Sequence, residues 1–98
     1  MCLEYEKRIE HLGVLAEFIQ GQVILNYYED DDFLWKREGF HFDSILVTNE
    51  QLIFKRKDGF KYTICLQEYP DFFIYSAFQH YFTLRKTSGK LDIYFPHN

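Results

Sequence analysis

From residue 21 onward large apolar and polar side chains alternate along nearly the whole chain. A period of two marks a pleated strand with one buried face, because successive side chains point to opposite sides. The clearest case spans residues 44–66, where Phe60, Lys61, Tyr62, Thr63, Ile64, Cys65 and Leu66 follow Asp58-Gly59. Asp-Gly between two such runs predicts a hairpin closed by a two-residue turn, since that turn needs φ > 0 at both central positions. A strand is predicted over residues 22–29, with Val23, Leu25 and Tyr27 on one face and Ile24 and Tyr28 on the other. Then come a short strand over 33–37, a turn at Glu38-Gly39, and strands over 40–48 and 51–57 separated by Asn49-Glu50. Tyr69-Pro70-Asp71 interrupts the next run, because proline donates no ladder hydrogen bond. Residues 72–78 and 81–86 are strand-like, and the pattern leaves open whether 72–86 is one bent strand or two. Thr87-Ser88-Gly89-Lys90 turns into a last strand over 91–95.

The first part of the chain has a different period. Tyr5, Ile9, Leu12, Ala16 and Ile19 recur at spacings of four and three, and Leu15 and Phe18 widen the stripe, which predicts a helix over residues 4–20. Glu4 and Glu6 fall in its first turn, where acidic groups complement the helix dipole. Gly21 is placed just past its end, where φ > 0 is common. Gly13 lies inside the pattern at a cost of up to ~1 kcal/mol relative to alanine. One helix followed by about seven antiparallel strands is an α+β arrangement. So many short strands curl into a strongly bent sheet or an open barrel, with the helix over one opening. A chain of 98 residues has room for one such domain, residues 1–98, with the antiparallel meander running over 22–95.

Within residues 21–95, the stretch Ser44-Ile45-Leu46-Val47-Thr48-Asn49-Glu50-Gln51-Leu52-Ile53-Phe54 resembles the bacterial pleckstrin-homology-like domains. In those domains a strand ending in Thr-Asn is followed by one opening on a Leu-Ile-Phe-like run. The resemblance implies a small barrel plugged by a helix. The family places that helix at the C-terminus, and the helix over 4–20 would take its part here. Members that bind phosphoinositides use basic residues in the loop between the first two strands. That loop is Asp30-Asp31-Asp32 here, so a lipid head group is not expected.

Composition sharpens the picture in one respect. Eleven Phe, eight Tyr and one Trp are a large supply of rings for 98 residues, and each can bury about 150–250 Å². A net charge of −4 argues against a dedicated nucleic-acid binder. Cys2 and Cys65 follow no apolar leader, since the chain opens Met-Cys-Leu-Glu-Tyr-Glu-Lys-Arg. Reduced thiols and a cytoplasmic location are expected. No apolar stretch approaches the ~20 residues of a membrane span.

Candidate chemistry is sparse. Glu29-Asp30-Asp31-Asp32 lacks the alternate spacing and the glycine of a calcium loop, and reads as a solvated turn. His11, His41, His80 and His97 have no zinc-site spacing, and no Cys-x-x-Cys occurs, so neither a metal nor a cofactor is expected. Cys65 lies mid-strand without a glycine-rich turn or helix start to activate it. His41 and Asp43 flank Phe42 on one strand face, a common structural pairing. No phosphate loop, nucleophile elbow or dinucleotide fingerprint is present.

The expected function is therefore that of a non-enzymatic interaction module, engaging a protein partner or a second copy through aromatic-rich strands. The segment holding Tyr69, Phe72, Phe73, Tyr75, Phe78, Tyr81 and Phe82 carries more rings than one core readily hides. Lysines near the turns, Lys55, Lys57, Lys61, Lys86 and Lys90, form the alternative. If the Gly59 and Gly89 turns share one rim, these would attract nucleic acid or another anionic ligand. Because the rings alternate with the lysines, they face the other side of the strand, which leaves nucleic acid the less expected partner.

Overall fold

The computed structural model describes residues 6–30, 33–75 and 80–96. The alternation beyond residue 20 becomes strand almost throughout: β2 (Gly21–Glu29), β3 (Phe33–Phe42), β4 (Ser44–Val47), β5 (Gln51–Lys55), β6 (Lys61–Cys65), β7 (Asp71–Tyr75), β8 (Tyr81–Lys86) and β9 (Gly89–Tyr94). A further strand, β1 (Glu6–Ile9), precedes them. Every pairing is antiparallel. Six strands form one sheet in the order β1-β7-β8-β9-β2-β3, and β4-β5-β6 form a second.

The α+β expectation is overturned. Among the described residues the chain is nearly all β, and its helical content is two 3-10 turns, Gly13–Glu17 and Leu66–Glu68. The helix expected over 4–20 is replaced by β1 and the first of these turns; residues 4 and 5 lie outside the described residues. The cause is a partner that the local pattern does not contain. Glu6, Lys7, Arg8 and Ile9 pair with Tyr75, Ile74, Phe73 and Phe72, giving the edge of β7 the hydrogen bonds it would otherwise lack. Leu12 and Leu15 do enter the core, but one 3-10 turn already brings residues three apart onto one side. Ile19 stays 64% exposed, where a continuous helix would have buried it. Gly21 is accordingly the first residue of β2 rather than the end of a helix.

Within the strands, two boundaries differ from expectation and one left open is settled. Glu38-Gly39 does not turn the chain, because both residues are paired with Leu25 and Ile24 along the nine-residue β2. The run over 40–48 breaks at Asp43, where the chain leaves the large sheet for the small one. Asp43 is a corner: it donates its N–H to the Lys55 carbonyl (2.8 Å), and its carbonyl accepts from Gln20 (3.0 Å). Its carboxylate accepts the Lys57 N–H at 2.6 Å. Residues 72–86 contain two strands, β7 and β8, paired from Asp71↔Arg85 to Ile74↔Phe82.

The hairpin over 44–66 forms as the alternation requires. Ile64 and Leu66 are buried while Lys61, Thr63 and Cys65 are exposed. Its turn is longer than two residues: Arg56 N–H bonds the Phe60 carbonyl at 3.0 Å, and Lys57-Asp58-Gly59 close the loop. Only Gly59 takes positive φ there, at +100°. Arg56 and the Phe60 N–H bond the Asp58 carboxylate and hold its pKa below the usual range.

One core serves both sheets. Val23, Leu25, Leu84, Leu91 and Ile93 of the large sheet meet Leu52, Phe54 and Ile64 of the small one. Phe42 packs edge-on against Phe54 (5.6 Å) and Phe95 (5.8 Å), and Phe95 also meets Phe82 (6.2 Å).

β9 lies tight against β2 at Gly89, where an added Cβ would overlap the Tyr28 carbonyl oxygen. A Cβ at Gly39 meets nothing nearer than 3.9 Å. Gly89→Ala is expected to lower stability by about 1–3 kcal/mol through forced separation of the two strands. Gly39→Ala should be neutral or stabilising by up to ~1 kcal/mol. Urea denaturation of both variants checks the pair.

Candidate interaction site

The rings expected to form a surface between Tyr69 and Phe82 are largely absorbed by the fold. Tyr69 (6% exposed) and Phe82 (2%) belong to the core, and Phe72 packs against it. Being a strand, β7 sends its alternate side chains to the other face. There Phe73 lies beneath the Arg85 guanidinium at 4.4 Å, and the Tyr75 ring lies 5.1 Å from that of Tyr81. Phe78 lies outside the described residues. β7 and β8 are two paired strands, so the rings of this segment are shared over the faces of both.

The lysines separate into two groups. The Lys57 N–H bonds Asp43, placing the Gly59 turn beside the end of β3, whereas Asp30 donates to the Ser88 carbonyl at 3.2 Å, placing the Gly89 turn beside its start. A ten-residue strand is roughly 30 Å long, so the two turns do not share a rim. Lys86 reaches Glu68 at 3.7 Å, and Lys90 reaches Asp92 at 3.9 Å. Lys55, Lys57 and Lys61 make no ion pair among the described residues. Lys55 and Lys61 are directly opposite each other on the exposed face of the small sheet.

Exposed apolar surface is concentrated elsewhere. Phe33, Leu34 and Trp35 are 61%, 41% and 52% exposed at the start of β3, the last strand of the six-stranded sheet. The alternation fails here for a local reason. Tyr27 faces Lys36 and Tyr28 faces Leu34, so a bulge leaves Trp35 without a cross-strand partner on β2. Its indole lies 5.6 Å from the Tyr27 ring, over which Lys36 Nζ also sits at 5.1 Å. The signal was present in the sequence. Three consecutive large apolar residues beside Asp-Asp and before Lys-Arg cannot all face one side of a strand.

Tyr27 also ties the two sheets together: its hydroxyl lies 2.6 Å from that of Tyr62. Burial, then the bond to Tyr62, raises its pKa well above the ordinary tyrosine value.

On the opposite face of the large sheet, Asp92 is only 3% exposed and Thr83 is fully buried. Tyr81 donates to Asp92 Oδ2 at 2.8 Å and Thr83 to Oδ1 at 3.0 Å. Burial and the Asp92 bond push the Tyr81 hydroxyl up as well. Asn26, opposite Asp92 on β2, keeps a buried Oδ1 without a hydrogen-bond partner among the described residues. Glu6 is tied to Arg85, with its side chain 4% exposed. These carboxylates are held by hydroxyls and cations, an arrangement that fixes strands in place.

The other candidate groups do not converge. Cys65 is an exposed thiol on the outer face of the small sheet. His41 is exposed on β3, and the Asp43 carboxylate bonds Lys57 rather than the imidazole. His11 accepts the Gly13 N–H through Nδ1 at 3.3 Å, beside a cavity of about 260 Å³ whose lining includes Thr48, Leu66 and Phe72. Among the described residues no three of His, Cys, Asp and Glu lie close enough to hold a metal ion. Nor is any helix among them long and apolar enough to cross a membrane.

The raised tyrosines give a pH dependence of definite sign. The unfolded chain loses these protons near pH 10, while the folded protein retains them. Their stabilisation is complete below that pH and is lost as pH rises further. Tyr27→Phe is expected to flatten this alkaline decline in the urea midpoint and to remove one late-ionising tyrosine from the ultraviolet titration. An unchanged slope would contradict the assignment.

Compared with known proteins, the chain matches no family model, no curated protein and no solved structure.

Proposed function

We propose that the protein is a small non-enzymatic interaction module that offers the outer edge of β3 to another polypeptide. The observation carrying this reading is the exposed run Phe33-Leu34-Trp35, on a ten-residue strand with no further neighbour in its sheet among the described residues. An edge strand presents unpaired N–H and C=O groups that an added strand can satisfy, while adjacent side chains supply specificity. Rings give large contact area at little entropic cost. The exposed thiol at Cys65 supports a reducing, cytoplasmic setting.

Phe33 and Trp35 are each more than half exposed, so charged replacements there should leave the fold intact. Phe33→Lys/Trp35→Lys is expected to keep the wild-type melting temperature yet lose whatever polypeptide the wild type retains in quantitative capture from native lysate. Equal retention by the two would overturn the reading.

A second reading, an anionic ligand on the small sheet, is supported by Lys55 facing Lys61. Like charges directly opposite destabilise a sheet, and a bound anion would relieve that. Lys61→Glu is then expected to abolish a salt-dependent retention on heparin. Retention that is absent, or indifferent to this change, removes the second reading.

A further inference from the structure

We infer that the occupant of the β3 edge is a second copy of this chain, the two strands running antiparallel about a two-fold axis at Arg37; this rests on the reading of β3 as the interaction edge. The edges of the two sheets differ in length. β1, β4 and β6 have four, four and five residues, and β3 has ten. Among the described residues it is the longest edge strand, and its residues 36–42 run in unbroken register with β2.

The order of charges then selects the register. Directly opposite residues of an antiparallel pair share a sheet face. Over residues 36–42, where β3 alternates regularly, a two-fold axis normal to a continuous sheet must therefore pass through a residue, not between two. With the axis at Arg37, Lys36 of each copy lies opposite Glu38 of the other, forming two complementary pairs on one face. An axis at Lys36 would set Glu38 against Leu34 and Arg37 against Trp35. One at Glu38 would set Lys36 against Phe40 and Arg37 against Gly39. Neither matches opposite charges.

The structure prepares this arrangement in two ways. Lys36 and Glu38 already lie 3.7 Å apart within one strand, with side chains 41% and 40% exposed, so the dimer extends a surface pair into four alternating charges. The bulge also turns Trp35 onto the Tyr27 face, where its indole lies 5.6 Å from the ring over which Lys36 sits, so the indole flanks the Lys36–Glu38 pairs of the dimer. Opposing this, the two Arg37 side chains meet at the axis and repel. A single strand pair also buries less than the ~1,200 Å² of a stable interface, so the dimer is weak and concentration-dependent.

Sedimentation velocity on the full chain, over a concentration series reaching high micromolar, tests the arrangement. The wild type should pass from monomer to dimer. Glu38→Lys should weaken association about tenfold or more, and Lys36→Glu/Glu38→Lys should restore it. Arg37→Gln should strengthen it severalfold, which no unspecific apolar association predicts. Trp35 is the sole tryptophan, so its emission should shift to the blue with dimer formation in every variant that dimerises.

A monomer at all concentrations overturns the inference, as does a dimer indifferent to Glu38→Lys or not restored by the exchange. The two failures remain separable. A strict monomer that still loses a retained polypeptide through Phe33→Lys/Trp35→Lys keeps β3 as an interaction edge with a different occupant. A monomer whose capture is unaffected by that change removes both.

Discussion

The pairing of β9 with β2 is the contact on which the rest depends. It joins Gly89–Tyr94, the last strand, to Gly21–Glu29, and so welds the β7-β8-β9 meander to the β2-β3 hairpin. Only then do Val23, Leu25, Leu91 and Ile93 share one face, each with no measurable exposure. Without that face, β4-β5-β6 would have nothing to pack against. Closing so long a loop costs entropy before any contact offsets it, and the offset comes from burying both sheets' inner rows at once. The close approach at Gly89 shows how little slack the junction has.

Two further devices hold the second sheet over the first. Asp43 turns the chain from β3 into β4 with its backbone bonded on both sides and its carboxylate anchoring the Gly59 loop. The Tyr27–Tyr62 hydroxyl pair bridges the sheets farther along β2. Each satisfies polar groups where strands leave or cross one another, which is where a sandwich of short strands otherwise leaves backbone unpaired. On the far face, Asp92, Thr83 and Tyr81 do the same across β8 and β9, while the Asn26 carbonyl is left over.

Elements whose partners are near in sequence could be read from the pattern, and those with remote partners could not. The hairpin of β5 and β6 was legible because both strands and their Asp-Gly turn fall within fifteen residues, Gln51 to Cys65. β1 was not, because it exists to pair with β7, more than sixty residues away, and its neighbours Leu12 and Leu15 have a spacing that a helix would share. Glu38-Gly39 resembles a turn until β2 is seen to run opposite it. The surplus of rings was readable as a quantity but not as a place. Tyr69 and Phe82 went inside once β7 and β8 separated, and Phe33 and Trp35 were left outside by a bulge that only the pairing with Tyr27 and Tyr28 defines.

The edges of the two sheets differ in a way that bears on recognition. β1 is short and carries Lys7 and Arg8, and β6 begins at Lys61 and exposes Thr63 and Cys65. Such charge and brevity discourage an incoming strand. β3 has its own charges, but they are grouped at Lys36-Arg37-Glu38 between an apolar run and an exposed glycine, and they include both signs. A strand protected purely against association would gain most from charges of one sign, since any identical copy would then be repelled in every register. Mixed charge symmetric about Arg37 leaves one register in which the copies attract and penalises its neighbours. That pattern is what the proposed self-pairing of β3 requires, and it makes the alignment of Lys36 with Glu38, rather than the exposed rings alone, the feature that distinguishes this register from its neighbours.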